Sequence, residues 1–129
     1  MTGRERIADW IARYESAWRT PGTGVLAELF TEDATYSQGP YEKTRNGLAE
    51  IAEMWEAQRE GPDEAFTMTS ELVAVEGDTA VARVVVTYVD APDEREYRDL
   101  WVMRFASDGR VRAFEEWPFW PGQRISALA

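Results

Sequence analysis

Tyr97-Arg98-Asp99-Leu100-Trp101-Val102-Met103-Arg104-Phe105, then Ser107-Asp108-Gly109, then Arg110 through Trp120, carries the strongest pattern in the chain. It predicts two long antiparallel strands joined by a tight hairpin. A period of two places Tyr97, Asp99, Trp101, Met103 and Phe105 on one face, and Arg98, Leu100, Val102 and Arg104 on the other. An apolar face that also holds a carboxylate points to a wall that is part core and part cavity.

Upstream of this ribbon the same period continues. Phe66 to Val75 reads as a strand, Glu76-Gly77-Asp78 as a hairpin turn, and Thr79 to Val89 as a valine-rich strand. The polar loop Asp90-Ala91-Pro92-Asp93-Glu94 links it to the ribbon, completing a four-stranded antiparallel meander. Before residue 66 the period is helical. Thr2-Gly3-Arg4-Glu5 fits a capping box, Ile7, Trp10, Ile11, Tyr14, Ala17 and Trp18 form one apolar face, and Thr20-Pro21-Gly22 stops the helix. A short second helix is expected from about Gly24, with Val25, Leu26, Leu29 and Phe30 inward. Leu29 to Tyr36 then turns into a short strand, broken by Gly39-Pro40. Asn46 can cap a third helix with Leu48, Ile51, Ala52 and Trp55 as its stripe and Met54 beside it, ended by Gly61-Pro62. Helices followed by strands indicate an α+β domain over residues 1–129: three N-terminal helices packed on a strongly curved, mainly antiparallel sheet. A twisted sheet wrapped over a helix makes a cone whose open end is a natural pocket.

Composition narrows the chemistry. The 129 residues contain no cysteine, so disulfides, thiolate metal sites and cysteine nucleophiles are excluded. They contain no histidine, so any general acid or base must be a carboxylate, Tyr, Lys or water. Without His or Cys no clustered metal-ligand set is visible, and neither metal nor cofactor is expected. A net charge of −10 opposes binding to nucleic-acid phosphates or anionic membranes. The N-terminus Met-Thr-Gly-Arg-Glu-Arg lacks an apolar run and no stretch reaches the length of a membrane span, so a soluble cytoplasmic protein is expected.

Three phrases in this order, Leu29-Phe30-Thr31-Glu32-Asp33-Ala34-Thr35, Asn46-Gly47-Leu48-Ala49-Glu50-Ile51, and Met103-Arg104-Phe105 with Asp108-Gly109-Arg110-Val111, resemble the NTF2-like superfamily. Within it the chain is most similar to the SnoaL-like polyketide cyclases and the steroid delta-isomerases. The resemblance spans essentially the whole chain and implies a cone-shaped α+β fold and a homodimer. It specifies no single reaction, since the fold hosts isomerases, cyclases, hydrolases, dehydratases and binders. The steroid isomerases' oxyanion-donating tyrosine matches Tyr14, preceded by Arg13. Their general base falls where this chain has Ser37-Gln38-Gly39, with no carboxylate. Their second oxyanion donor, an aspartate, falls at Trp101, and so does the aspartate of the SnoaL-type cyclases.

The remaining acid–base candidates are carboxylates on the ribbon. Asp99 shares the face of Trp101, and the resemblance places Phe114 and Glu116 inward on the last strand. A bulge near Pro118 would exchange Glu115 and Glu116. Tyr14, Asp99 and Glu116 are therefore the catalytic candidates. Each has a plainer alternative: a core tyrosine, an arginine-paired aspartate, a paired glutamate. Trp18, Trp55 and Trp101 are candidate pocket walls or simply core. Gln38, Met54, Met103 and Phe114 complete the ligand-facing set. Glu115 and Trp117 would face out with Val111, Val102, Leu100 and Val85, an apolar outer sheet face suited to a homodimer. Two functions fit: cofactor-free cyclase, isomerase or hydratase chemistry on a hydrophobic, polycyclic or polyketide-like molecule, or a non-catalytic ligand-binding or dimeric assembly module.

Overall fold

A computed structural model describes residues 3–59, 64–93 and 95–123. Helix α1 (Arg4–Arg19) buries Ile7, Trp10, Ile11, Tyr14 and Ala17, the three- and four-residue spacing of one helix face. Gly3 holds the N-cap position and its carbonyl accepts the Ile7 N–H at 3.1 Å, with no side-chain cap; the expected Thr2 cap lies outside the described residues. Helix α2 (Leu26–Leu29) is a single turn. The expected short second helix is thus a one-turn connector, and the helical layer consists chiefly of α1 and α3 (Gly47–Gln58). Asn46 precedes α3 as expected, but its side chain makes no cap. Instead Glu50 Oε1 accepts the Asn46 N–H at 3.0 Å. The helix stops at Gln58, ahead of Gly61-Pro62, which lie outside the described residues.

Six strands form one sheet. They are β1 (Phe30–Ser37), β2 (Arg45–Asn46), β3 (Phe66–Glu76), β4 (Thr79–Tyr88), β5 (Glu96–Phe105) and β6 (Val111–Phe119), in the spatial order β2-β1-β6-β5-β4-β3. The meander β3 to β6 is the one the alternation predicts. The early strand occupies the expected stretch, and it pairs in parallel with β6, from Phe30 opposite Val111 to Ser37 opposite Glu115. A local turn cannot make a parallel pair, so the two ends of the chain meet here across most of its length.

The register of the ribbon decides which glutamate faces inward. Arg104 pairs with Ala113 but Phe105 pairs with Val111, so Arg112 is an extra residue in β6. This bulge turns Val111 inward, where it is fully buried, and removes it from the outer face assigned to it by strict alternation. From Ala113 to Phe119 the pairing is regular, with no bulge near Pro118. Phe114 and Glu116 consequently stay on the concave face. The hairpin itself needs Gly109 at φ +89°, and a Cβ there would sit 3.0 Å from Arg6 Nη2. Gly109→Ala is expected to cost about 1 kcal/mol in urea unfolding; an unchanged midpoint would contradict that geometry.

Between the helices and the concave face lies an aromatic core. Trp10 meets Phe30 and Phe105 edge-on at 5.6 and 5.9 Å, and its indole N–H donates to the Leu29 carbonyl at 3.0 Å. Tyr14 stacks on Phe114 at 5.6 Å and lies 4.6 Å from Trp101. Among the described residues no helix is long and apolar enough to cross a membrane.

Candidate functional site

At one end of this core the sheet lifts away from α1 and leaves a cavity of about 350 Å³. Helix α1 contributes Tyr14 and Trp18, β1 and its exit contribute Tyr36 and Gln38, and α3 contributes Gln58. Phe66, Met68 and Val86 form an apolar wall from β3 and β4. Tyr88, Tyr97 and Arg95 come from the β4–β5 end, and Asp99, Glu116 and Pro118 from the ribbon.

Asp99 and Glu116 meet because of the register. Trp101 stands directly opposite Glu116 and Asp99 opposite Pro118, so the two carboxyls are diagonal neighbours on one face. Each carboxyl acts on the protonation of the other, and a hydrogen bond between them would require a proton on one. Asp99 is only 4% exposed, accepts the Trp101 indole N–H at 3.3 Å through Oδ2, and has no hydrogen-bond partner for Oδ1 among the described residues. Burial lifts the Asp99 carboxyl above the usual aspartate range. Desolvation, and next the charge of Asp99, pushes Glu116 up to about 8. Near neutrality Glu116 therefore retains its proton.

Three donors converge on the same place. Gln38 Nε2 donates to Glu116 Oε1 at 3.2 Å, and the Tyr36 hydroxyl reaches the same oxygen at 3.5 Å, a long contact. The Tyr36 and Tyr14 hydroxyls are 2.6 Å apart. Burial, and then the nearby Glu116, holds both tyrosines well above the usual phenol range, so both remain protonated. Gln38 is itself held by a reciprocal pair of side-chain hydrogen bonds with Gln58, each Nε2 donating to the other's Oε1 at 2.8 Å. Such a constellation can donate a proton to an oxygen in the cavity, take one from an adjacent carbon, and hydrogen-bond a developing oxyanion.

The fold brings together Tyr14, Asp99, Glu116, Trp18 and Gln38. It does not bring Met54, Trp55, Trp101, Met103 or Phe114 to the cavity wall. Those five are buried in the core beneath it, because inward alternation specifies the face but not whether the space above a residue is filled. Tyr36 and Gln58 escaped the sequence reading. Tyr36 alternates with Ala34 along β1, a signal for burial, but its hydroxyl gains its neighbours only from residues 22 and 80 positions away.

The family model of the SnoaL-like domain matches residues 7–114. The chain belongs to the SnoaL-like domain family. No protein of curated function matches the sequence. Solved structures with the same fold as this SnoaL-like domain include SalBIII, an epoxide hydrolase/cyclase-like enzyme of pyran ring formation in the polyether salinomycin (17% identity, 95% of each chain covered, TM-score 0.72). A protein from Jannaschia sp. CCS1 assigned to the SnoaL-like polyketide cyclases is 18% identical, over 92% of this chain and 91% of that one, with TM-score 0.69. An NTF2-like protein of unknown function from Mesorhizobium loti is 22% identical, over 92% and 96%, with TM-score 0.66. At these identities the similarity of the SnoaL-like domain to each is one of fold.

Proposed function

We propose that this SnoaL-like domain is a cofactor-free acid–base enzyme acting on a hydrophobic small molecule. The observation that carries the reading is the pair of neighbouring carboxyls, Asp99 and Glu116, opening onto a cavity that also presents the Tyr14 and Tyr36 hydroxyls 2.6 Å apart. Glu116, the protonated member, is the proton donor, and Asp99 holds the negative charge that keeps it protonated. Tyr14 and Tyr36 donate hydrogen bonds to the substrate oxygen. The apolar wall of Phe66, Met68 and Val86 selects an apolar substrate body. The epoxide and polyketide chemistry named for relatives of this fold makes an epoxide or a carbonyl compound the reasonable substrate class.

The test is a panel of an aryl epoxide, a β,γ-unsaturated ketone and a β-hydroxy ketone, scored for ring opening, isomerisation and dehydration. Turnover of at least one is expected, with kcat/KM falling about 100-fold in Glu116→Gln. Full activity in that variant would refute the assignment. Binding of the panel without turnover would instead support the second reading, a non-catalytic ligand-binding module. That reading is favoured by the absence of a carboxylate at Ser37-Gln38-Gly39, the position of the steroid isomerases' base.

We further infer a homodimer through the outer sheet face. Leu100 and Phe119 are 37% and 42% exposed there, beside half-buried Val85, Val102 and Trp117. Leu100→Arg is expected to convert a dimer of about 29 kDa, twice the 14.7 kDa chain, to monomer by light scattering. A monomeric parent protein, or a variant that stays dimeric, would rule out this face.

A further inference from the structure

We propose that Gln58, the last residue of α3, is a positioning residue for the acid. It holds the Gln38 amide nitrogen toward Glu116, so that Gln38 stabilises the carboxylate left when Glu116 gives up its proton. This rests on the reading of Glu116 as the proton donor and adds the group that receives the resulting charge. In that step the Glu116 O–H bond breaks, the proton passes to the substrate oxygen, and the electron pair stays on the carboxylate.

The bonds of the Gln38 amide fix its direction. One Nε2 hydrogen goes to Gln58 Oε1 at 2.8 Å and the other to Glu116 Oε1 at 3.2 Å. Gln38 Oε1 accepts the Gln58 Nε2–H, also at 2.8 Å. Turned over, the amide would set its carbonyl against Glu116 Oε1, lone pair to lone pair, at the moment that oxygen becomes charged. The reciprocal bonds oppose this, because Gln38 cannot turn alone without losing both of them. The N–H is therefore aimed before the charge develops.

Both ends of the bridge are anchored. Arg59, next to Gln58, donates its backbone N–H to the Trp55 carbonyl at 3.0 Å. Its guanidinium donates to the Thr20 and Gly22 carbonyls at 2.7 and 3.0 Å, which pins the end of α3 to the loop after α1. Beside Gln38, the Ser37 hydroxyl donates to the Gly39 carbonyl at 2.8 Å. Among the described lining residues Gln58 is the one from α3, and it is uncharged. The titratable and charged side chains sharing the cavity with Glu116 stand on other elements: Tyr14 on α1, Tyr36 on β1, Asp99 and Tyr97 on β5, and Tyr88 and Arg95 at the β4–β5 end. A neutral replacement of Gln58 leaves all of them in place, so its effect reaches Glu116 through Gln38.

The test follows the Glu116 carboxyl by 13C NMR across pH, in protein labelled at the glutamate side-chain carboxyls; its signal is the one absent from Glu116→Gln. Gln58→Met, an uncharged change at an exposed helix end, is expected to raise the pH of half-titration by about 0.5 to 1 unit, with little change in Tm. Gln38→Met should raise it by at least as much, and adding Gln58→Met to Gln38→Met should do nothing more. An unchanged or lowered half-titration pH in Gln58→Met, or the same rise with and without Gln38, overturns the inference. The readout needs no substrate. Turnover of the panel with an unmoved titration overturns the positioning role alone, whereas no turnover by the parent protein overturns the enzyme reading and this role with it.

Discussion

Glu116→Gln is expected to flatten the pH dependence of folding stability between about pH 4.5 and 8. The native carboxyl titrates at about 8, above the ordinary glutamate value of 4.5. Over that interval the native state holds a proton that the unfolded chain has released. The stabilising contribution of protonation is therefore fully present below pH 4.5 and is lost as pH rises through about 8. Asp99, also raised by burial, adds a change of the same sign at lower pH. Each unit of displacement corresponds to about 1.4 kcal/mol, and access of the cavity to water reduces the full effect. A decline of about 2 to 4 kcal/mol is the reasonable size for the parent protein. Glutamine keeps the shape and hydrogen-bonding capacity but cannot titrate, so the slope should fall to the part due to Asp99. Urea unfolding at pH 5, 6.5 and 8 measures it. A parent protein equally stable at pH 5 and pH 8 would show that Glu116 does not retain its proton near neutrality.

The largest loss of stability is expected from Trp101→Ala, about 3 to 5 kcal/mol, or a fall in Tm on the order of 10–20 °C. Trp101 is 1% exposed and lies 4.6 Å from the Tyr14 ring and 5.1 Å from Phe114. Truncation therefore removes transfer free energy and leaves a void that three neighbouring elements cannot easily close. It also removes the indole N–H that Asp99 accepts, which raises the cost of keeping that carboxylate charged. Trp101→Phe should recover most of the packing but not the hydrogen bond. The difference between the two variants thus separates volume from polarity. A loss below about 1 kcal/mol for the alanine variant would mean that the indole is not part of the packed core.

Much of this fold is legible in the chain because its sheet signals are local. The alternation Asp99, Trp101, Met103, Phe105 survives in the structure as four buried residues separated by exposed or half-buried ones. Gly77 and Gly109 mark hairpins where a positive φ is needed. What escapes is non-local. The parallel pairing of β1 with β6 leaves no trace in either segment alone, because hydrogen bonds to a distant backbone impose no periodicity of their own. The bulge at Arg112 was equally hidden, and it reassigned Val111 while leaving Glu116 inward. In the site, Glu116, Asp99 and Tyr14 were recoverable from strand parity and from family resemblance. Trp55, Trp101 and Phe114 lie in the core and do not line the cavity, because a sequence distinguishes inward from outward far better than core from cavity floor.

The parallel joining of β1 to β6 also has a meaning for how the molecule comes into being. Tyr36 leaves the ribosome 80 residues ahead of Glu116, and Tyr14 earlier still, yet their hydroxyls are enclosed against it in the finished protein. During that interval the first helix and first strand can pack only on one another and on α3, as Trp10 does on Phe30 and Tyr14 on Trp55. Closing so long a loop is slow relative to the local hairpins. Glu116 can therefore be enclosed against the tyrosines only once the C-terminal strand has docked beside β1.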